Sequence, residues 1–527
     1  MSTQPSAQGR AVRHGAVTAV VCIALAAVVA AMSSLNVAIP SIARSTHASQ
    51  TQLAWIIDAY SLVFAAFLLP AGALGDRFGR RRFLLAGLVI FAAGSAVAMI
   101  VSGASELIAL RTVIGLGAAL VMPATLSTIT GTFPPARRAK AVSIWAAVAG
   151  GAAIFGVLGA GALLEFFSWR SVFALNIALA VIAVIGTLLA VPESADPHAP
   201  RLDHGGAALS VLALVALVYS VIQAPTAGWG SAQTLTGLGL GLAGLAAFTA
   251  WELRQRTPML DPRLFTHPRL GAGSLSVFIQ FFAFYGFIFL ILQYLQVIRG
   301  DSALIAAASM LPMAATMLPT ARLAPALASR FGARRICAAG LLLIATALAV
   351  IAQVSHTSPY WQLACGLLVL GVGMGAAMTP ATSNITTALP PAKQGVASAI
   401  NDLSREVGGA LGIAVIGSVM TATYRSHLSV PGVPASVLGK AKDSVAIAAR
   451  IGGPVAAKAD TAFIDGIHIA LYTAAGAAAL AAIAVFALLS RHTSTPLLTE
   501  LGEPARAPRR RAVTLEPCGC ARFRLRC

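Results

Sequence analysis

Long apolar runs alternate along this chain with short polar, mostly basic connections, and the runs are too long and too uniform for a soluble core. A helix crossing a bilayer needs about 20 predominantly apolar residues. By that measure the pattern predicts fourteen spans, at 15–38, 53–74, 83–103, 105–128, 141–163, 171–191, 206–224, 234–251, 272–297, 302–325, 336–354, 361–384, 396–421 and 464–489. Only helices and closed barrels satisfy every backbone group in lipid, and runs of this length are helical. The expected fold class is therefore an all-α polytopic membrane protein.

The basic residues set the orientation. Most of the 37 Lys and Arg fall on connections that an N-terminus-inside topology places in the cytoplasm, and an even number of spans returns the C-terminus to the same side. The connection at about 425–462 is a local exception, with five Lys or Arg on the outer side. The run Val17–Ala31 follows Arg10 and Arg13 as in a signal peptide, but it continues into Leu35–Pro40 and is read as an uncleaved first helix.

Composition agrees: 57% of the 527 residues are hydrophobic and 10% charged, against about 25% charged in soluble domains. A net charge of +19 would suggest nucleic acid in a soluble protein. Here the charge sits at span ends and on the tail, so none is expected. Cys22, Cys337 and Cys365 lie in apolar segments, while Cys518, Cys520 and Cys527 lie in a basic tail expected to face the reducing cytoplasm. Neither set makes a disulfide framework or a metal site, and no metal or cofactor is expected. No G-x-x-x-x-G-K-[ST], HExxH or GxSxG occurs, which argues against ATP use and against an embedded enzyme.

One connection is unusually dense in charge and glycine: Gly72-Ala-Leu-Gly-Asp76-Arg77-Phe-Gly79-Arg80-Arg81-Arg82. A shorter echo returns at Ser329-Arg330-Phe331-Gly332-Ala333-Arg334-Arg335, so R-F-G-x-R occurs twice, as an internal duplication would leave it. The first copy resembles the loop between helices 2 and 3 of the major facilitator superfamily. Leu35-Asn-Val-Ala-Ile-Pro40, Trp55-Ile-Ile-Asp58-Ala-Tyr60, Trp169-Arg170-Ser-Val-Phe173-Ala-Leu-Asn176 and Ser398–Gly412 resemble its fourteen-span drug:proton antiporter branch.

The resemblance implies two six-helix bundles related by a pseudo-two-fold axis, with two extra helices between them. The divisions expected are an N-terminal tail 1–14, a first bundle 15–191, a linker with two spans 192–270, a second bundle 271–490 and a basic tail 491–527. It further implies a monomeric, proton-coupled exporter of small amphipathic or cationic compounds in a bacterial cytoplasmic membrane, working by alternating access. A dedicated metabolite or antibiotic exporter of the same fold is the alternative, with an uptake carrier behind it.

Charges inside a bilayer are costly, so each needs a partner, water or a task. Asp58 in span 2 and Arg111 in span 4 lie at similar depth, about 8–10 Å below the outer end by helical rise, and are expected to act in proton coupling as a proton- or cation-responsive acid and the arginine that modulates it. Asp402 and Glu406 share a helix face in span 13 with Arg405 beside them. Two acids and one Arg leave one acid uncompensated, which suits proton binding or attraction of a cation. A static ion pair at Asp58, and an Asp402 open to water with Arg405 paired to Glu406, are the structural alternatives.

Span 5 carries Ala152, Gly156 and Ala160 every four residues, a stripe for close helix packing. With Gly151 and Gly161 it resembles the antiporter motif g-x-x-x-G-P-x-x-G-G, although Val157 replaces the proline. Trp55, Tyr60, Phe284, Tyr294 and Gln296 are expected on the substrate path, with Phe281, Phe282 and Tyr285 as further aromatics. Ala31, Ile114 and Ser329 stand where many relatives of this type carry an acid, a glutamine and an acid.

Overall fold

The computed structural model describes residues 14–46, 50–194, 203–255, 258, 260–389, 393–443, 445, 448 and 451–489. The expectations for the two tails, including the C-G-C segment, lie outside them.

The described residues hold helices α1 His14–Thr46, α2 Gln50–Phe78, α3 Arg80–Ala98, α4 Ala104–Thr132, α5 Pro135–Phe166, α6 Ser171–Ala190, α7 His204–Ala227 and α8 Ala232–Arg254. They continue with α9 Pro268–Gln293, α10 Ala303–Ala308, α11 Leu311–Phe331, α12 Ala333–Ile351, α13 Tyr360–Ala388, α14 Gln394–His427, α15 Ala435–Asp443 and α16 Gly453–Leu488. Fourteen segments are long and apolar enough to cross a membrane, with α10 and α11 forming one broken span and α15 none. The fourteen-span expectation is met.

The ends differ where helices outrun the apolar pattern. The final span begins at Gly453 and not at 464, because Gly453–Phe463 continues the helix through Lys458 and Asp460. Asp465 and His468 consequently lie inside α16. Asp465 pairs with His427 at 3.2 Å, and His468 Nε2 lies 2.9 Å from the Val354 carbonyl.

Local chemistry explains the breaks. Ser231 and Ser302 cap α8 and α10 by accepting from the N–H groups of Thr234 and Ile305. Asp203 does the same for α7 through Gly206. Gly79 and Gly332 separate α2 from α3 and α11 from α12 with φ of 113° and 87°, a region that side chains with a Cβ rarely adopt. These are the glycines of the two R-F-G-x-R copies. Gly79→Ala and Gly332→Ala should each cost about 1–3 kcal/mol. Gly239→Ala, with open space around it, should not; thermal unfolding of the solubilised protein measures all three.

The packing repeats. In the first half α1 lies against α5 and α6, α2 against α4, and α3 against α4 and α6. In the second half α9 lies against α14 and α16, α11 against α13, and α12 against α13 and α16. Each pair has its counterpart, and the seam between the halves repeats too, with α2 on α14 matched by α11 on α5. This is a pseudo-two-fold arrangement of two six-span bundles. Between them in sequence, α7 packs on α8 and reaches α2 and α14 at the seam.

The outer surface is apolar: Ile100, Phe166, Leu189, Leu240, Leu480 and Ile483 are all exposed. Such a belt would drive aggregation in water and is the natural surface in lipid. Inside, small residues bring helices close. A Cβ on Gly156 would strike Ala30 and Ser33 of α1, and one on Gly412 would strike the Phe282 backbone of α9. The α5 stripe and its α14 counterpart therefore do the same work in the two halves.

Candidate functional site

The conspicuous loop forms a latch between the bundles. Asp76, near the end of α2, is almost fully buried. Its Oδ1 accepts from Arg80 Nε and Nη2 at 3.0 and 2.8 Å. Its Oδ2 accepts from the backbone N–H groups of Gly395 and Val396 at 2.6 and 3.3 Å, in the first turn of α14. The positive end of a helix favours an anion there. Gly72 makes the approach possible: any Cβ on it would collide with the Gly395 carbonyl, and the reverse holds for Gly395 and Gly72.

The neighbouring arginines hold this end of the fold. Arg81 Nη2 donates to the Leu188 carbonyl of α6 at 2.9 Å. In the second copy Arg334 Nε donates to the Phe486 carbonyl of α16 at 2.6 Å. Arg77 lies over the Phe78 ring at 5.4 Å. The second loop keeps its Arg334 anchor but not the latch, because Ser329 and Ala333 stand at the positions of Asp76 and Arg80. Ser329 bonds only locally, to the Ala326 carbonyl.

A second group of charges lies on α2, α4 and α14. Arg111, fully buried on α4, does not form an ion pair with Asp58. Its Nε donates to the Ile56 carbonyl at 2.8 Å, and its guanidinium lies 4.3 Å from the Tyr60 ring centroid. Tyr60 in turn donates to the Val28 carbonyl of α1. Asp58, half-buried, makes no ion pair among the described residues.

On the facing helix α14, Asp402, Arg405 and Glu406 are all buried. Arg405 pairs with Asp402, Nη1 to Oδ1 at 3.5 Å, and not with Glu406. Asn401 also donates to Asp402 Oδ1 at 3.4 Å and is itself held by Thr382 of α13. Glu406 sits in the fields of Arg405 and Asp402, and its charge reaches Tyr60 across the seam. The two acidic groups predicted separately thus belong to one region. Three carboxylates (Asp58, Asp402, Glu406) and two guanidiniums (Arg111, Arg405) lie on α2, α4 and α14 on the two sides of Tyr60, an excess of one negative charge among these five when all are ionised.

The aromatic expectations divide. Tyr60 is in this region, and Phe284 belongs to a cluster with Phe281 and Tyr285, of which Tyr285 is a neighbour of Tyr60. Trp55 is occupied by an accessory helix, stacked on Tyr219 of α7 at 5.7 Å. Tyr294 caps the far end of α9, donating to the Ser355 carbonyl, and Gln296 is exposed on the π-helical turn that follows. Of the α5 glycines, Gly156 meets α1, whereas Gly151 faces Met317 and Gly161 faces Leu304 of the opposite bundle.

Trp145 was not anticipated. It is buried on α5, donates Nε1 to Thr125 Oγ1 at 3.0 Å, and lies 5.9 Å from the Arg405 guanidinium of the other bundle. The available signal was a single tryptophan in a span that, apart from Ser143 and Phe155, is built from alanine, glycine and aliphatic residues.

Fourteen apolar helices in two repeat-related bundles, with scarce charges gathered at the seam, define a membrane carrier built on internal repeats. The chain belongs to the Major Facilitator Superfamily, which it matches over residues 21–413. It is 34% identical over 487 residues to the multidrug resistance protein Stp of Mycobacterium tuberculosis, covering 88% of this chain and 90% of that protein. It is also 34% identical over 437 residues to the methyl viologen resistance protein SmvA of Salmonella typhimurium, covering 82% and 88%. The fold is similar to the crystal structure of the human organic anion transporter MFSD10, with a TM-score of 0.63 at 15% identity over 91% of this chain and all of that one.

Proposed function

We propose that this protein is a proton-coupled exporter of small amphipathic or cationic compounds, acting as a monomer in a bacterial cytoplasmic membrane with both termini inside. The observation that carries the reading is the charge balance at the seam. Asp58, Arg111, Asp402, Arg405 and Glu406 leave one negative charge over, which a proton or a monovalent cation neutralises but which the two cannot both claim. Mutual exclusion at a site reached alternately from either side is what exchange requires. Resistance to drugs in the similar full-length proteins Stp and SmvA supports export as the direction and organic cations among the cargo.

The latch at Asp76 supports alternating access. It joins α2 to α14 at one end of the seam by bonds that separation of the bundles must break, and the reading makes that end cytoplasmic. Everted membrane vesicles with an acidified lumen provide the test. A fluorescent lipophilic cation is expected to accumulate in vesicles containing the protein and to leave when a protonophore collapses the gradient. Accumulation that ignores the gradient, or runs with the proton, would refute the reading.

A further inference from the structure

Arg405 is held in an unusual way for a buried guanidinium. It is 1% exposed, yet Nε and Nη1 have no hydrogen-bond partner. Its contact with Asp402 is a loose 3.5 Å ion pair, and Asp402 Oδ2 is likewise buried without a partner. What surrounds the guanidinium is largely aromatic: Phe281 of α9 at 4.7 Å, Trp145 of α5 at 5.9 Å, and Tyr285, whose hydroxyl hydrogen-bonds to it, with the Glu406 carboxylate in its field. Buried arginines are ordinarily fixed by directional, often bidentate hydrogen bonds. A seat offering π-faces and diffuse negative charge, with few acceptors aimed at the guanidinium nitrogens, suits a planar cation whose charge is spread over a ring system.

We infer that Arg405 is a resident stand-in for the cargo: its guanidinium occupies the cation seat formed by Phe281, Trp145 and Asp402, and a planar aromatic cation binds by displacing it. This deepens the exporter reading by naming the seat and the cargo chemistry, and it rests on that reading only for the direction of transport. Trp145 belongs to one bundle and Phe281, Asp402 and Arg405 to the other, so parting of the bundles opens the seat. The displaced guanidinium would then compete with the cargo at every turn of the cycle, keeping affinity moderate and release feasible. Trp145 and Phe281 become specificity-determining residues, and Arg405 a built-in competitor.

Equilibrium binding of ethidium, a planar monovalent cation, and of Nile red, a neutral planar dye, to the purified full-length protein in detergent tests this. Arg405→Met should tighten ethidium binding about fivefold or more and leave Nile red within about twofold, the gain a freed aromatic face and an uncompensated acid would give. Adding Phe281→Leu and Trp145→Leu to Arg405→Met should return ethidium to wild-type affinity or weaker. Unchanged or weaker ethidium binding in Arg405→Met overturns the inference. So does an equal gain for Nile red, or a gain that survives loss of both aromatic residues, since charge alone would then explain it.

Should Arg405→Met fail to yield folded protein by size exclusion, Arg405→Lys carries the same test. A compact, strongly hydrated ammonium fits flat faces less well, so ethidium should bind more tightly than to wild type, and unchanged or weaker binding again overturns the proposal. No gradient is present in this assay. Failure of proton-driven flux in vesicles would therefore sink the exporter reading without touching the binding result, and the reverse also holds.

Discussion

In an Asp76→Ala variant the ends of α2 and α14 should part. Two backbone N–H groups of α14 and the guanidinium of Arg80 converge on this one buried carboxylate. Removing it takes two hydrogen bonds from Arg80 and orphans two backbone donors of α14, a loss of about 3–5 kcal/mol for breaking one side of a buried pair. That is a change of about 150-fold or more in the equilibrium between joined and parted ends, enough to invert a two-state preference of a few kcal/mol. Asp76→Asn keeps one acceptor oxygen and should fall between. The second loop, with Ser329 and Ala333 at the corresponding positions, has no equivalent latch, so Ser329→Ala should be nearly silent. Spin labels at the exposed positions Phe78 and Thr387 report the separation as a distance distribution. A distribution in Asp76→Ala that matches wild type would show that the latch does not hold the bundles together.

The fold was legible because lipid is an unforgiving solvent. Apolar length alone located all fourteen crossings, and the duplicated R-F-G-x-R marked the repeat that the helix contacts reproduce. Where charge enters a helix, the pattern lost sight of it: Lys458 and Asp460 hid the first turns of α16. Depth along a span is also readable, since helical rise is constant, and it puts Asp58 and Arg111 at one level; Arg111 bonds the Ile56 carbonyl, two residues before Asp58. Rotation about the helix axis is not readable in the same way. It directs Arg111 to the Ile56 carbonyl and the Tyr60 ring, away from an ion pair with Asp58.

The i, i+3 and i, i+4 spacing put Asp402, Arg405 and Glu406 together, because that relation lies within one helix. Trp145 over Arg405 joins residues of two bundles distant in sequence, and only the assembled seam creates it. The same holds for Asp76. Its charge and position were evident, but its partners are backbone groups more than three hundred residues away, and backbone groups carry no residue-specific signature.

Asp402→Asn should abolish proton-driven accumulation in vesicles, lowering it by about twentyfold or more to background, and exchange of labelled for unlabelled cargo should fall with it. With Asp402 neutralised, the two remaining acids, Asp58 and Glu406, balance Arg111 and Arg405, and no excess charge is left for a proton to neutralise. The carrier then behaves as though permanently protonated. A cationic cargo, which competes with the proton for that charge, then finds nothing to neutralise either, so both halves of the exchange are lost. Coulomb interactions among charges a few ångströms apart in a poorly screened interior amount to several kcal/mol, which makes net charge a stronger determinant than the identity of any one acid. The decisive variant is therefore the compensated one. Asp402→Asn combined with Arg405→Gln restores two acids against one guanidinium, and with them the single excess charge. Gradient-driven accumulation should return at least tenfold above the Asp402→Asn level, even though two charged groups are now missing. A single variant that still accumulates cargo like the wild type would remove Asp402 from the coupling mechanism. A double variant as inactive as the single one would show that position, and not charge balance, governs the exchange.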